Sequence, residues 1–366
     1  MINVTKAFIP NKDKFKGYID RIFESGQLTN NGPLLRELEA RLSDYLGVNN
    51  LILVANGSLA LQVAYKALNL KGEIITTPFS FAATTSTILW ENLTPVFADI
   101  NSRTFNIDPE QIVDKISKNT SAILPVHVFG NPCEIQEIQE ISSKYNLKVI
   151  YDASHAFGVD YTLPNEKKTS VLNFGDISTL SLHATKLFHS IEGGAIITND
   201  DDLAKKIRLL INFGISGPEG IDSIGTNAKL NEFEAAMGLC VLDEIEKIKV
   251  NRKKIWDFYA SELANYVKFQ EWNSKSFNNY SYAPILFETE NDLLRVKNAL
   301  ERKNIYPRRY FYPSLDNIKI TEPFTTHSKS FSIDISKRII CLPIYPDLEL
   351  EEQIHIVNII IEALKY

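Results

Sequence analysis

Lys186 lies on a short connection between two apolar, strand-favouring runs of the sequence. The runs cover residues 177–182 and 195–198, and each predicts a buried strand. The connection also contains the pair Gly193-Gly194. An amine held between buried strands is poorly hydrated, which lowers its pKa and prepares it to form an imine with a carbonyl compound. Lys186 is therefore a candidate for covalent catalysis.

A carboxylate follows a third apolar run at residues 147–151. Asp152 comes directly after this run, and ligands of open α/β sheets bind at the carboxyl ends of the strands. On one interpretation, Asp152 only caps the next turn. On the other, it pairs with a protonated pyridine nitrogen, which keeps the ring of pyridoxal phosphate an effective electron sink.

A tight turn and a helix follow the strand predicted at residues 51–54. The turn contains Gly57 and Ser58, and the helix is predicted at residues 59–68. Small residues that open a helix leave free backbone N–H groups at the positive end of its dipole, where a phosphate binds well; the alternative is an ordinary helix cap. The sequence contains neither the Gly-x-Gly-x-x-Gly fingerprint of dinucleotide sites nor a Walker-type loop. Together, the lysine, the carboxylate and the phosphate seat point to pyridoxal 5′-phosphate as the cofactor.

The elements that position these residues alternate between strand and helix from about residue 72 onward. Alternation of this kind predicts parallel βαβ units in a sheet that is covered on both faces. Strands are predicted at residues 73–77, 95–100 and 122–128, and helices at 81–90, from 108, at 134–145 and at 201–211; a long helical pattern at 230–254 is broken or bent in its middle.

The composition changes about two thirds of the way along the chain, where strands are predicted at residues 282–287 and 339–343 around a further helix. We therefore predict an α/β fold with a large domain, built on a mostly parallel sheet, and a smaller α+β C-terminal domain. The predicted bounds are residues 21–249 for the large, cofactor-binding domain and 250–366 for the small one. An N-terminal segment, residues 1–20, is expected to pack with the small domain.

Composition argues against several classes of protein. The 366 residues carry a net charge of −6, so a nucleic-acid partner is not expected. No apolar stretch approaches the roughly 18 residues of a membrane helix, and the N-terminal residues lack the apolar core of a signal peptide. The cysteines, Cys133, Cys240 and Cys341, are too widely spaced for a zinc site or a disulfide framework. We expect a cytoplasmic protein with no metal site and no membrane anchor.

Motifs along almost the whole chain resemble, in the same order, those of the sugar-nucleotide aminotransferase family, the DegT/DnrJ/EryC1/StrS group. They are Thr29-Asn30-Asn31-Gly32-Pro33, Asn56-Gly57-Ser58-Leu59-Ala60-Leu61, Thr77-Pro78-Phe79-Ser80-Phe81-Ala82-Ala83-Thr84, Pro95-Val96-Phe97-Ala98-Asp99-Ile100, Pro125-Val126-His127-Val128-Phe129-Gly130, Asp152-Ala153-Ser154-His155-Ala156 and the segment around Lys186. The resemblance implies fold-type I architecture and pyridoxal 5′-phosphate as the cofactor, with pyridoxamine 5′-phosphate as its intermediate form.

The resemblance also implies roles for individual residues. Lys186 would bind the coenzyme covalently and then shuttle a proton, and Asp152 would pair with the ring nitrogen. His155 would lie near the ring hydroxyl, and Phe81 would stack on the ring. The residues implied as phosphate ligands are Gly57, Ser58 and Ser181.

Asn227 matches a family asparagine that reaches the phosphate of the neighbouring subunit, which implies a homodimer with a shared active site. Lys229 stands where the family often has arginine, and an ammonium group cannot form the bidentate contact of a guanidinium. The remaining substrate-binding candidates are Thr29, Arg308 and Tyr310. At least one residue of the run 308–310, which includes Arg309, is expected to hold the nucleotide diphosphate.

The reaction implied by the resemblance is a two-step transamination. An amino group would pass from L-glutamate to C4 of dTDP-4-keto-6-deoxy-D-glucose, giving dTDP-4-amino-4,6-dideoxy-D-glucose and 2-oxoglutarate for glycans such as O-antigen. The segments that most resemble family members with this activity are His183-Ala184-Thr185-Lys186, Glu192-Gly193-Gly194 and Asn227-Ala228-Lys229-Leu230-Asn231-Glu232.

Other activities remain open at this point. The nearest are C4 amination to the galacto epimer, of dTDP-fucosamine type, and C3 amination of a 3-keto sugar. A sugar dehydratase of the same fold would carry histidine at the lysine position, so Lys186 argues against it. A cofactor-binding regulator without turnover is the remaining alternative.

Overall fold

Strands and helices alternate along most of the chain. The computed structural model describes residues 1–325 and 330–365. The strands are β1 Ile2–Asn3, β2 Asn50–Val54, β3 Glu73–Thr76, β4 Thr94–Phe97, β5 Thr120–Leu124, β6 Lys148–Asp152, β7 Asp160–Thr162, β8 Lys168–Ser170, β9 Ile177–Ser181, β10 Gly194–Thr198, β11 Ile215–Gly217, β12 Gly220–Ile221, β13 Lys268–Phe269, β14 Pro284–Leu286, β15 Ile305–Tyr306 and β16 Ile339–Cys341. The helices are α1 Lys12–Ser25, α2 Pro33–Leu46, α3 Gly57–Ala67, α4 Ala82–Trp90, α5 Pro109–Val113, α6 Ile135–Tyr145, α7 Asp201–Leu210, α8 Glu232–Leu242, α9 Ile245–Leu263, α10 Glu290–Glu301, α11 Phe331–Arg338 and α12 Leu350–Leu364.

A seven-stranded sheet in the order β2-β10-β9-β6-β5-β3-β4 forms the centre of the larger part. Strand β10 runs antiparallel to both of its neighbours, whereas the other paired strands are parallel. The predicted α/β fold with a mostly parallel sheet is therefore confirmed.

Both faces of this sheet are buried, because successive side chains of a strand point to opposite sides. In β2, Leu51 and Leu53 join the hydrophobic cluster that contains residues of α2 and α8. Ile52 and Val54 join the opposite cluster, with residues of α3 and α7. This double cover explains why the strands read as continuous apolar runs in the sequence.

A smaller sheet, β13-β14-β16, forms the centre of the C-terminal part. Its core includes residues of α9, α10 and α12. Strand β1 pairs with β15 of this part, whereas α1 packs against α2 and α8 and buries Ile22 in the large core. The boundaries proposed after residues 20 and 249 fall inside α1 and α9. The three-part division of the chain remains a proposal.

One predicted strand differs from the observed one, whereas a predicted break in a long helical pattern is confirmed. The strand expected at residues 122–128 ends at Leu124, and a short 3₁₀ turn follows in which Phe129 has a φ of 59°. The helical pattern predicted at residues 230–254, broken or bent in its middle, is indeed broken: α8 and α9 separate where Glu244 leaves the helical conformation with a φ of −106°. Within the described residues, no helix is both long and apolar enough to cross a membrane.

Candidate active site

A cavity of about 410 Å³ opens at the carboxyl edge of the large sheet. Strands β6 and β9 end there, and α3 begins there after β2. The cavity collects most of the residues predicted from the sequence: Gly57, Ser58, Phe81, Asp152, His155, Ser181, Lys186, Arg308 and Tyr310. Arg308 and Tyr310 come from the C-terminal part, so the cavity lies between the two parts of the chain.

Lys186 lies on the loop between β9 and β10 and points its amine into this cavity. Its Nζ donates a hydrogen bond to the Tyr282 hydroxyl over 3.3 Å. Burial lowers the pKa of Lys186 to about 8, although Asp152 and Tyr310 act in the opposite direction. A part of this amine is therefore unprotonated near neutral pH, as nucleophilic attack on a carbonyl requires.

Asp152 is 5% exposed, and two donors fix its carboxylate. Oδ2 accepts from the Thr84 hydroxyl over 3.0 Å, and Oδ1 accepts from the Ser154 backbone N–H over 3.1 Å. The Thr84 oxygen lies 2.8 Å from Ser80 Oγ. A hydroxyl has a single proton, so Ser80 must be the donor in that pair. Thr84 is therefore a positioning residue. It belongs to a motif that resembles one of the family, but the sequence alone did not identify it as a candidate.

The first turn of α3 supplies a phosphate seat. Asn56 caps the helix by accepting from the Leu59 N–H over 2.9 Å, which leaves the N–H groups of Gly57 and Ser58 without an intrahelical acceptor. A Cβ added at Gly57 would lie 3.0 Å from Ser181 Cβ. Glycine thus allows Ser181 to approach these N–H groups closely. Two free N–H groups and adjacent hydroxyls at a helix N-terminus fit the phosphate of pyridoxal phosphate.

His155 is buried, and its Nδ1 accepts a hydrogen bond from the Phe129 N–H over 3.2 Å. Burial, reinforced by the nearby Lys186, holds the pKa of His155 well below its usual range. The neutral ring therefore carries its proton on Nε2, which can donate to an oxygen such as the ring hydroxyl of the cofactor. Phe81 is 57% exposed at the mouth of the cavity, where a ring can stack on it.

Three predicted residues lie outside this cavity. Thr29 and Asn227 are exposed. Lys229 lines a second cavity of about 360 Å³, where it donates to Asn212 Oδ1 over 2.9 Å. Their roles remain predictions, and that of Asn227 depends on a second subunit. Arg309, in turn, forms an ion pair with Glu290 over 2.9 Å and does not line the active-site cavity.

Sequence reasoning missed several residues of the cavity wall. Tyr282 contacts Lys186, although 96 residues separate them in the chain. His183 and Glu192 flank the lysine on its own loop, and their side chains approach within 3.5 Å. Both residues lie in motifs that resemble those of the family, so their presence at the mouth of the cavity could have been predicted from the sequence. For Tyr282, no local pattern signals the contact.

Similarity to known proteins extends over nearly the whole chain. Residues 11–361 match the DegT/DnrJ/EryC1/StrS aminotransferase family. A dTDP-4-amino-4,6-dideoxy-D-glucose transaminase of Shigella dysenteriae is 40% identical over 369 aligned residues, which cover 99% of this chain and 98% of the relative. The activity in this name is that of the relative. The alignment covers nearly the whole length of both chains.

Solved structures agree with this similarity. The crystal structure of DesI in the presence of its TDP-sugar product has a TM-score of 0.91 and 30% identity, covering 100% of this chain and 93% of the other. The NtdA structure from Bacillus subtilis, with bound pyridoxamine phosphate, has a TM-score of 0.87 and 26% identity, covering 98% and 83%. The predicted fold type and cofactor are confirmed, and the chain belongs to the DegT/DnrJ/EryC1/StrS family of pyridoxal phosphate-dependent sugar aminotransferases.

Proposed function

We propose that this enzyme transfers the amino group of L-glutamate to C4 of dTDP-4-keto-6-deoxy-D-glucose. The products are 2-oxoglutarate and dTDP-4-amino-4,6-dideoxy-D-glucose, an amino sugar for O-antigen or a similar glycan. The observation behind this proposal is that Lys186 and Asp152 line the same cavity. It is supported by the 40% identity of the chain to a transaminase named for this product.

The residues of the cavity divide the work of holding the coenzyme. Bound pyridoxal phosphate supplies a carbonyl that takes up and returns the amino group, and a ring that accepts electrons from the reacting carbon. Gly57, Ser58 and Ser181 hold the phosphate at the start of α3. Asp152, fixed by its two donors, keeps a proton on the ring nitrogen. His155 donates from Nε2 to the ring oxygen.

Lys186 moves the protons of the reaction. Its Nζ takes the proton from the α-carbon of glutamate in the first half of the reaction. In the second half, it returns a proton to the sugar carbon that receives the amine. The lowered pKa of about 8 supports this role, because a base is most effective when its pKa lies near the working pH.

A second subunit completes the site in this proposal. Asn227 is exposed and outside the cavity of its own chain, which suits a residue that reaches the phosphate of a neighbour. Thr29 and Lys229 lie outside it as well and are proposed to contact the nucleotide sugar across the same interface. Arg308 is exposed at the mouth of the cavity and is proposed to pair with the diphosphate of the substrate.

The test is to incubate the purified enzyme with L-glutamate and dTDP-4-keto-6-deoxy-D-glucose and to determine the product by NMR. An equatorial amine at C4 is expected. An axial C4 amine would assign the galacto epimer instead, and amination only of a 3-keto substrate would move the reaction to C3. A deoxygenated product without amine would indicate a dehydratase. A yellow protein whose colour glutamate does not bleach would indicate a regulator.

A further inference from the structure

Tyr282 lies between two groups that face the coenzyme site. Its hydroxyl is 3.3 Å from Lys186 Nζ, and its ring packs edge-on against His155 with the ring centroids 4.8 Å apart. The Nζ lies 6.0 Å from the centroid of the Tyr282 ring, so the amine faces the hydroxyl and not the face of the ring. Hydrogen bonds of catalytic groups are often this long before the substrate binds.

The segment that carries Tyr282 is tied to both parts of the molecule. The Asn279 side chain donates to the carbonyls of His155 and Phe157 over 2.9 and 3.0 Å. Arg252, which is 3% exposed, donates to the carbonyls of Tyr280 and Ser281 over 2.9 and 2.6 Å. These bonds fix the backbone on the N-terminal side of Tyr282. Its hydroxyl therefore has a defined position relative to Lys186.

The chemistry of a buried phenol suits a contact with an amine. Burial raises the pKa of Tyr282 above its usual range, so the hydroxyl stays protonated at neutral pH. A neutral hydroxyl accepts a hydrogen bond from a protonated lysine and donates one to a free amine. It can therefore hold the amine in either protonation state. A carboxylate at this place would instead favour the charged form, raise the pKa of the amine and leave less free amine at neutral pH.

We propose that Tyr282 is a positioning residue for the reaction: its hydroxyl holds the free amine of Lys186 in place while that amine carries a proton to or from the substrate carbon. This inference rests on the proposed function, because it requires Lys186 to be the reacting lysine. It predicts two separable effects of removing the hydroxyl. One concerns the affinity of the amine for a proton, and the other concerns the rate of proton transfer.

The first test uses coenzyme-free protein, so that it does not depend on turnover. Acetylation of Lys186 with trace acetic anhydride, followed by peptide mass spectrometry across a pH series, reports the pKa of the amine. In Tyr282→Phe the pKa should fall by about one unit, because the ammonium form loses a charge-assisted hydrogen bond. Tyr259→Phe is the matched control: it removes a hydroxyl bonded to the Pro343 carbonyl over 3.0 Å, away from the cavity, and should leave the pKa unchanged.

The second test follows the bleaching of the coenzyme absorbance by glutamate in a stopped-flow instrument. Tyr282→Phe should slow this half reaction by about 10- to 100-fold, the effect expected when one charge-assisted hydrogen bond is lost. Tyr259→Phe should react like the wild type. Tyr282→His retains a ring nitrogen that can bond the amine, and should recover part of the lost rate.

An unchanged pKa of Lys186 together with an unchanged bleaching rate in Tyr282→Phe would overturn the inference. If Tyr282→Phe does not fold, Tyr282→Met, which also lacks the hydroxyl, takes its place, and a wild-type pKa of Lys186 together with a wild-type bleaching rate in that variant would overturn the inference as well. Borohydride trapping with peptide mapping separates this failure from that of the proposed function. A tag on Lys186 with no effect of Tyr282 rejects only the role of the tyrosine. A tag elsewhere rejects the proposed function itself.

Discussion

Burial lowers the pKa of Lys186 and of Lys229, and each amine lines a cavity of its own. Their surroundings differ. Near Lys186 lie the Asp152 carboxylate and the Tyr282 hydroxyl. Lys229 instead bonds the neutral amide of Asn212 and lies 5.1 Å from the centre of the Phe213 ring. Poor hydration by itself therefore does not make a lysine a catalyst; the groups placed around it determine its role.

The two cavities also differ in the elements that form their walls. The residues around Lys186 come from strand ends and the start of a helix, and hydrogen bonds within the chain hold them. Those near Lys229 include Asn30 and Asn31 of an exposed loop. The first cavity is therefore built from the ends of regular elements, whereas part of the wall of the second is an exposed loop.

The largest effect is expected from removing the amine of the first cavity. Lys186→Ala should still bind the coenzyme but lose the imine absorbance near 410–420 nm, and kcat should fall by at least about 10³-fold. Lys229→Ala should lower kcat/KM far less and keep the absorbance. Absorbance spectra and steady-state assays of both variants measure the difference. Appreciable transamination by Lys186→Ala would contradict the role of this lysine.

The substitution Asp152→Asn tests the role of the negative charge near the Lys186 amine. The variant should retain the bound coenzyme, while kcat falls by about 10²- to 10³-fold, because a neutral amide no longer holds the ring nitrogen protonated. Coenzyme content by absorbance after denaturation serves as the control. Full activity in this variant would show that the carboxylate only caps its turn.

The free energy of unfolding of the coenzyme-free protein should include the penalty for burying the Lys186 amine. Burial lowers the pKa of Lys186 from 10.5 to about 8, so the folded state holds its proton less tightly than the unfolded chain. The penalty, about 3 kcal/mol, is complete below pH 8 and fades as the pH rises toward 10.5. Lys186→Met should therefore raise the free energy of unfolding in urea at pH 7, with a smaller gain at pH 10. A Lys229→Met gain of equal size would remove the distinction between the two sites.

A smaller effect is expected from the hydroxyl that fixes Asp152. Thr84→Val keeps the shape of the side chain but removes the 3.0 Å bond to the carboxylate, and kcat should fall by about 10-fold. Thr87→Val, which removes a hydroxyl bonded to Tyr65 farther along α4, is the matched control and should leave kcat close to the wild-type value. Equal losses in both variants would attribute the effect to packing of the helix.

The last experiment asks whether Asn227, two residues before Lys229, acts in the active site of a partner subunit. Co-expressed Lys186→Ala and Asn227→Ala chains should form mixed dimers in which one site carries both defects and the other carries none. Random pairing would restore about a quarter of the wild-type sites, which a transaminase assay at limiting coenzyme would detect. If Asn227 acted within its own chain, no intact site would form and activity would not return.

Local patterns in the sequence led to the strands, to the edge at which they end, and to Asp152 at that edge, whereas Ser181 was implied only by the family resemblance. Asp152 is the last residue of β6 and comes directly after the apolar run 147–151, so a pattern of apolar runs is enough to find it. The donors that complete the site are different. Thr84 and Tyr282 meet their partners over 68 and 96 residues, and only the packing of distant elements brings them together.

The loop that carries Lys186 begins and ends on neighbouring strands. Ser181 and Gly194 lie opposite each other, and further backbone bonds join Leu182 to Gly193 and Ala184 to Ile191. The loop therefore leaves the sheet and returns to it at neighbouring positions. The paired strands hold its two ends together, whatever residues lie between them. Since each doubling of loop length costs only about 0.6 kcal/mol, this segment can be lengthened or replaced during evolution while the scaffold beneath it persists.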